Sequence, residues 1–330
     1  MKYQPPYTIT SKIIHLIAQI SENIGRLTVL KEIQDSLKLR KANRIRTIQG
    51  SLAIEGNTLS TEQITAILNG KTVIAPPKEV QEVRNAIKAY EAFQQWQPSQ
   101  EKDLLQAHQI LMTGLIDEIG QYRHGGVGVM SGDRVVHMAP PANQINRLMV
   151  DLLDWLNDSE VHPLIQSSVF HYEFEFIHPF ADGNGRMGRL WQTLILSRWN
   201  PIFANIPVES LIYQNQKAYY EALQVSTDRT DSAPFIEFIL QMILDAILSS
   251  TDTAQDSGHA TAQAGDHVQR LISAMKQGDY TFAELMQLVG LTHRATFQKN
   301  YLNPAIEAGL IERTIPDKPK SPKQKYRLKR

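Results

Sequence analysis

Helical periodicity runs through most of this chain while strand-like segments are scarce, which restricts it to a mainly α fold. Apolar residues recur at helical spacing over 11–23, 27–55, 60–68, 78–95, 101–114, 142–157, 163–176, 185–199, 215–224 and 232–249. Ser60 with Gln63 makes a capping box for the short 60–68 segment. One clear β signal interrupts the pattern. VGVMSGDRVVHM, residues 127–138, places two valine-bearing arms around a Ser-Gly-Asp turn. Two strands alone are marginally stable, so this hairpin must pack on helices and keep an exposed edge.

At 330 residues and 42% hydrophobic content the chain accommodates two or three domains with real cores. Pro98 separates an N-terminal helical region, 1–100, from a helical core, 101–249. Residues 250–265, STDTAQDSGHATAQAG, are small and polar without periodicity and read as a flexible linker. Beyond them come helices at 266–277, 281–288 and 292–308. LIERTIPDKPKSPKQKYRLKR then reads as two strands around a Pro/Lys-rich loop. That is the order of a winged-helix module. The expected fold class is a helical core bearing a β-hairpin, plus a small α+β winged-helix domain at 266–330.

Net charge is zero but unevenly placed. From Asp266 to Arg330 there are 12 Lys/Arg against 6 Asp/Glu, so this segment carries +6 and the remainder −6. A basic module suits DNA or an acidic partner, with Arg294, Gln298 and Lys299 on the plausible reading face. The absence of Cys excludes disulfides and thiolate metal sites. MKYQPPYTIT lacks a secretory h-region, and FIEFILQMILDAIL reads as too short and too acidic to cross a bilayer. A cytoplasmic protein with no membrane partner is expected.

Two short stretches carry the chemistry. In FIHPFADGNGRMGRLWQTLILSRW, residues 176–199, the loop Asp182-Gly-Asn-Gly185 runs directly into a helix, whose first N–H groups and positive dipole end suit phosphate. Arg186 and Arg189 share a helix face and add two guanidinium forks. Asp182 is a hard oxygen ligand suited to Mg²⁺, and His178 has the ordinary pKa of a general base near neutrality. The second stretch is Ser51–Asn57, SLAIEGN, where a helix stops at Gly56-Asn57. Glu55 sits at that helix end, where partial negative charge disfavours an acid by ~0.3–1 kcal/mol unless a cation answers it, so it either points into water or has a partner elsewhere in the chain.

His178-Pro-Phe-Ala-Asp-Gly-Asn-Gly-Arg-Met-Gly-Arg189 resembles the signature of the Fic family, H-x-F-x-D/E-G-N-G-R-x-x-R, at every specified position. His171, Phe174 and Ile177 before it, and Gly120-Gln-Tyr-Arg123 upstream, are similar to the family as well. The resemblance spans roughly residues 30–245. It implies transfer of AMP from ATP to a Tyr, Thr or Ser hydroxyl of a target protein, the chain itself included. His178 would deprotonate the hydroxyl, and Asp182 would hold Mg²⁺. Gly183, Gly185, the Asn184 side chain and Arg186 would cradle phosphate oxygens, and Arg189 would fix the γ-phosphate. The hairpin resembles the family's flap, with Val127, Val129 and Met130 on the strand to which a target segment would add. Tyr219-Tyr220 matches a pair that often follows the motif helix, from which one ring could stack on adenine while the other belongs to the core, although Thr227 stands where relatives often carry Asn.

Ser51-Leu-Ala-Ile-Glu55-Gly56 matches the family's inhibitory motif, S/T-x-x-x-E-G/N. The resemblance implies that Glu55 pairs with Arg189 and holds it from the γ-phosphate, with Ser51 hydrogen-bonding nearby. Other readings stay open: removal of AMP with Glu55 positioning a water, another donor such as UTP, or a nucleotide-sensing DNA-binding regulator. A homodimer is compatible with the sequence.

Overall fold

The protein is described as a computed structural model covering residues 3–34, 37–126, 128–131, 134–275, 278–291, 293–307, 310–315, 321 and 324–328. It forms two compact units, Met1–Thr251 and Asp252–Arg330.

The first unit is helical. In chain order it holds α1 (Ser11–Gln34), α2 (Leu37–Ile54), α3 (Thr61–Leu68), α4 (Pro77–Ala92) and α5 (Glu101–Met112). The hairpin β1 (Gly128–Ser131) and β2 (Arg134–Met138) comes next. Then follow α6 (Ala142–Asp158), α7 (Pro163–Ile177), α8 (Asn184–Trp199), α9 (Val208–Gln214) and α10 (Gln216–Arg229), and α11 (Ala233–Ala274) begins here and continues into the second unit. Gly25, at the expected break between the first two helices, lies inside α1 instead. A glycine there costs only about 1 kcal/mol.

The centre of the unit is the pair α7 and α8, joined by the loop 178–183. Pro163 starts α7, where its missing N–H costs nothing, and His162 Nδ1 accepts from Leu164 N–H at 3.2 Å. Leu164, Phe170 and Phe174 of α7 and Met187, Trp191 and Leu194 of α8 are fully enclosed. Each such side chain stabilises the fold by ~1.5–3 kcal/mol. Trp96 stacks on Trp191 with centroids 6.0 Å apart. The helix α9 is too short to announce itself by periodicity. It packs on α2 at Gly50, where a Cβ would come within 2.6 Å of the Glu209 backbone. Only glycine allows that approach.

Two expectations are corrected here. Residues 250–265 are not structureless but helical, within α11. They contain no proline and only two glycines, and their Ala, Gln, Thr and Asp residues tolerate helix at no more than ~0.7 kcal/mol each. Ala233–Ser250 is, by length and composition, apolar enough to cross a membrane, with mean hydropathy 1.5. In this structure Phe235, Ile236, Ile239, Leu240 and Ile243 of that stretch pack into the core.

The second unit has its own core around Leu271, Leu285, Phe297, Leu302 and Ile311. It contains α12 (Phe282–Leu288), α13 (Arg294–Phe297), α14 (Asn303–Glu307), and the antiparallel pair β3 (Ile311–Arg313) and β4 (Tyr326–Leu328). Tyr280 bridges to Tyr326 beside that pair. The expected single helix 292–308 is broken by a π-helical turn, Gln298–Leu302, in which Asn303 N–H bonds to Gln298 O. Pro304 follows at once and supplies no N–H for a regular ladder. Arg294 lies over the Phe282 ring at 4.4 Å, and Gln298 is exposed. The side chain of Lys299 and most of the Lys-rich loop lie outside the described residues.

Candidate active site

The loop between α7 and α8 is held from all sides. His178 closes α7 in the left-handed conformation, φ 51°, with its N–H on Phe174 O. Its Nδ1 lies 3.4 Å from Glu175 O, which supports the Nδ1–H tautomer and makes Nε2 the basic atom. The half-buried ring lies at the end of a fully packed helix, so its position is well defined. Gly183, φ 86°, caps α8. Helices leave their first N–H groups unsatisfied, so the start of α8 presents donors and dipole potential to an anion.

Asn184 is corrected relative to expectation. Its side chain is 2% exposed, and it donates to Phe180 O and accepts from Phe180 N–H, both at 2.9 Å. The amide staples the loop and does not face a ligand. Asp182 is half-exposed; its Oδ1 accepts from Gly183 N–H at 2.5 Å and from Arg186 at 3.0 Å. Among the described residues no group of three or more His, Asp or Glu is placed to hold a metal by itself. A lone accessible carboxylate beside an anion site fits Mg²⁺ carried in with phosphates, which needs only one or two protein carboxylates.

Arg186 and Arg189 both lie in the site, and both are already occupied. Arg186 also donates to Glu82 of α4 at 3.2 Å. Arg189, with a side chain only 1% exposed, donates from Nε to Ser51 Oγ at 3.2 Å. One terminal nitrogen donates to Ser51 O at 2.9 Å and to Glu55 Oε1 at 2.7 Å. The contact with Glu55 is therefore single, and Nε and that same terminal nitrogen also bond Ser51. Burial weakens the Arg189 cation, but the Glu55 carboxylate, together with Tyr219 and Glu175, outweighs it and raises the group. A Cβ on Gly185 would collide with Glu55 Oε1. Glu55 thus follows the negative end of α2, just before Gly56 (φ 89°), and sets its carboxylate against the positive end of α8. This is the cation its own helix end lacks.

Tyr219 is corrected as well. It is 1% exposed and its hydroxyl lies 3.1 Å from His171 Nε2, so it belongs to the core. His171 Nδ1 meets Gln192 Oε1 at 2.6 Å. Tyr220 is half-exposed and is the member of the pair able to offer a ring face. Thr227 bonds Tyr172 Oη at 3.2 Å. Val127 lies outside the described residues, and of Val129 and Met130 only the backbone is described. β1 and β2 pair antiparallel, with an irregularity between Val129 and Met130.

Several groups in the site carry no signal in the sequence. Glu175 is a buried carboxylate; burial raises it, but His171, His178 and Arg189 together hold it below its usual range. His108 of α5 stacks on Phe180 at 3.7 Å, lies 3.0 Å by Nε2 from Asp182 O, and accepts from Gly120 N–H at Nδ1. This makes it a neutral ring with its proton on Nε2. Burial pulls it from 6.5 down to about 4. The unfolded chain then takes the proton first on acidification. Its contribution is complete above pH ~6.5 and is lost as pH falls toward 4. We expect the gap in unfolding free energy between wild type and His108→Gln, measured by urea titration, to shrink across that window by on the order of 3 kcal/mol.

The Fic/DOC family pattern matches residues 98–196, and that of the C-terminal domain of filamentation induced by cAMP protein Fic-like matches 266–329. The crystal structure of a Fic family protein from Desulfovibrio desulfuricans G20 is 55% identical and covers 99% of this chain and 98% of its own, with TM-score 0.77. A protein adenylyltransferase Fic from Nematostella vectensis is 31% identical over 242 residues, 68% of this chain and 54% of that protein. The Caenorhabditis elegans protein adenylyltransferase fic-1 is 29% identical over 248 residues, 68% of this chain and 47% of that one. The chain spans about half the length of the curated relatives it matches. With its loop between two buried helices, its paired arginines and a full-length relative at 55% identity, the chain belongs to the Fic family.

Proposed function

We propose that this protein is a protein adenylyltransferase held inactive by Glu55. The observation that carries the reading is the Glu55 carboxylate, which touches Gly185 and bonds Arg189 at the start of α8. An internal acid occupies the place built for an anion. In the released state ATP places its phosphates there, with Arg186 and Arg189 on their oxygens. Asp182 holds Mg²⁺, which when bound neutralises phosphate charge. His178 Nε2 takes the proton of a Tyr, Thr or Ser hydroxyl, whose oxygen bonds the α-phosphorus as the bond to pyrophosphate breaks. The base, the anion site and the in-line geometry supply positioning and charge stabilisation, on which such transfer mostly depends. The target segment docks along the hairpin 128–138 by strand addition. Tyr220 offers its ring to adenine.

The test uses α-labelled ATP with Mg²⁺ and mass spectrometry of the products. Glu55→Gly is expected to label protein, itself included. Adding His178→Ala should lower labelling by about 10²–10⁴-fold, the range of a lost general base. Labelling that survives His178→Ala would overturn the assignment. The winged-helix-type C-terminal unit serves partner recognition in this reading. Salt-sensitive retention on DNA that persists in His178→Ala, without any labelling, would instead favour a DNA-binding regulator.

A further inference from the structure

Arg123 ends the tetrapeptide Gly120–Arg123 and is 3% exposed. Burial weakens its cation, yet among the described residues every partner of its guanidinium is a backbone carbonyl. Nε donates to His178 O at 2.7 Å, and one terminal nitrogen reaches Ile177 O at 3.4 Å. That nitrogen also donates to Pro140 O at 2.7 Å, and the other terminal nitrogen donates to Gly125 O at 2.7 Å. The Arg123 backbone N–H bonds Pro179 O at 2.9 Å. Gly125 precedes β1 and Pro140 follows β2. One planar group therefore joins both roots of the hairpin to the peptide groups that carry the base. His178 is one of only two non-glycine residues with positive φ among those described, a conformation that persists only when its surroundings impose it.

Resting on the reading of His178 as base and the hairpin as docking strand, we infer that Arg123 is a positioning residue that couples the two. Seating of the acceptor segment and orientation of the His178 imidazole are then set by the same guanidinium. Lysine cannot replace it, since an ammonium on a flexible stem lacks the planar fork that reaches carbonyls on opposite sides. Arg186, Arg189 and Asp182 share no bond with Arg123, so nucleotide binding is not expected to depend on it.

The experiment compares Glu55→Gly with Glu55→Gly/Arg123→Lys and Glu55→Gly/Arg123→Gln in the full chain. Three quantities are read: hydrogen exchange by mass spectrometry, affinity for a fluorescent ATP analogue, and self-labelling from α-labelled ATP. We expect faster exchange in 125–140 and in 177–180 together, with unchanged nucleotide affinity. Self-labelling should fall by about 10²-fold, as expected for a displaced catalytic group. Faster exchange confined to the hairpin, or labelling and nucleotide affinity falling in parallel, would overturn the coupling. If the Glu55→Gly parent labels nothing, the adenylyltransferase reading fails on its own. Joint or separate loosening of the two segments still decides the coupling in that case.

Discussion

Glu55→Gly is expected to raise labelling from α-labelled ATP by about 10²-fold over wild type, the shift from a state populated about one part in a hundred to one that dominates. Arg189 cannot serve a phosphate while its terminal nitrogen is bonded to Glu55 at 2.7 Å. Nor can a phosphate oxygen enter where Glu55 Oε1 touches Gly185. Removing the carboxylate clears both. It leaves the bonds from Arg189 to Ser51 Oγ and O, so the guanidinium stays oriented by α2. The cost in stability falls on Arg189, a buried cation that loses its carboxylate partner, and the partial exposure of Glu55, about a third of its side chain, keeps that cost below the ~3–5 kcal/mol of a fully buried pair. Glu55→Gln, which keeps the shape but not the charge, should fall between the two. Equal labelling by wild type and Glu55→Gly would sink the inhibition.

The helical core, the hairpin and the order of the C-terminal elements were legible because each rests on a local signal: apolar period, turn residues or a capping box. The motif 178–189 was legible because glycines, an acid, a base and two arginines in twelve residues have few common purposes. What escaped is what depends on which way a side chain turns. Asn184 lies in the motif yet faces the Phe180 backbone, and Tyr219 lies next to Tyr220 yet faces His171. Both are polar or aromatic residues whose sequence neighbours point elsewhere, and a helix rotates adjacent residues by about 100°. The roles of Arg123 and His108 escaped for another reason. Their partners are backbone carbonyls and an N–H from distant segments, and backbone groups leave no trace in residue identity. The helix through 250–265 shows the limit of composition: small polar residues tolerate helix even where they do not favour it.

Arg189→Ala separates a lock from a working part. If Arg189 only received Glu55, its removal would release the site and mimic Glu55→Gly. If it also holds the γ-phosphate, Arg189→Ala should lower labelling by about 10²–10³-fold in the Glu55→Gly background and give no activation in the wild-type background, the loss typical of one donor to transition-state charge. The two changes would then be strongly non-additive, as expected for groups in direct contact. A structural penalty accompanies this one: Arg189 is buried, and truncation leaves a cavity beside Ser51 and Gln192, worth ~2–5 kcal/mol. Arg189→Lys in the Glu55→Gly background controls for it, keeping the aliphatic stem and a charge while losing the fork. Labelling by Arg189→Ala at the level of Glu55→Gly would show the γ-phosphate role to be wrong while leaving the lock intact.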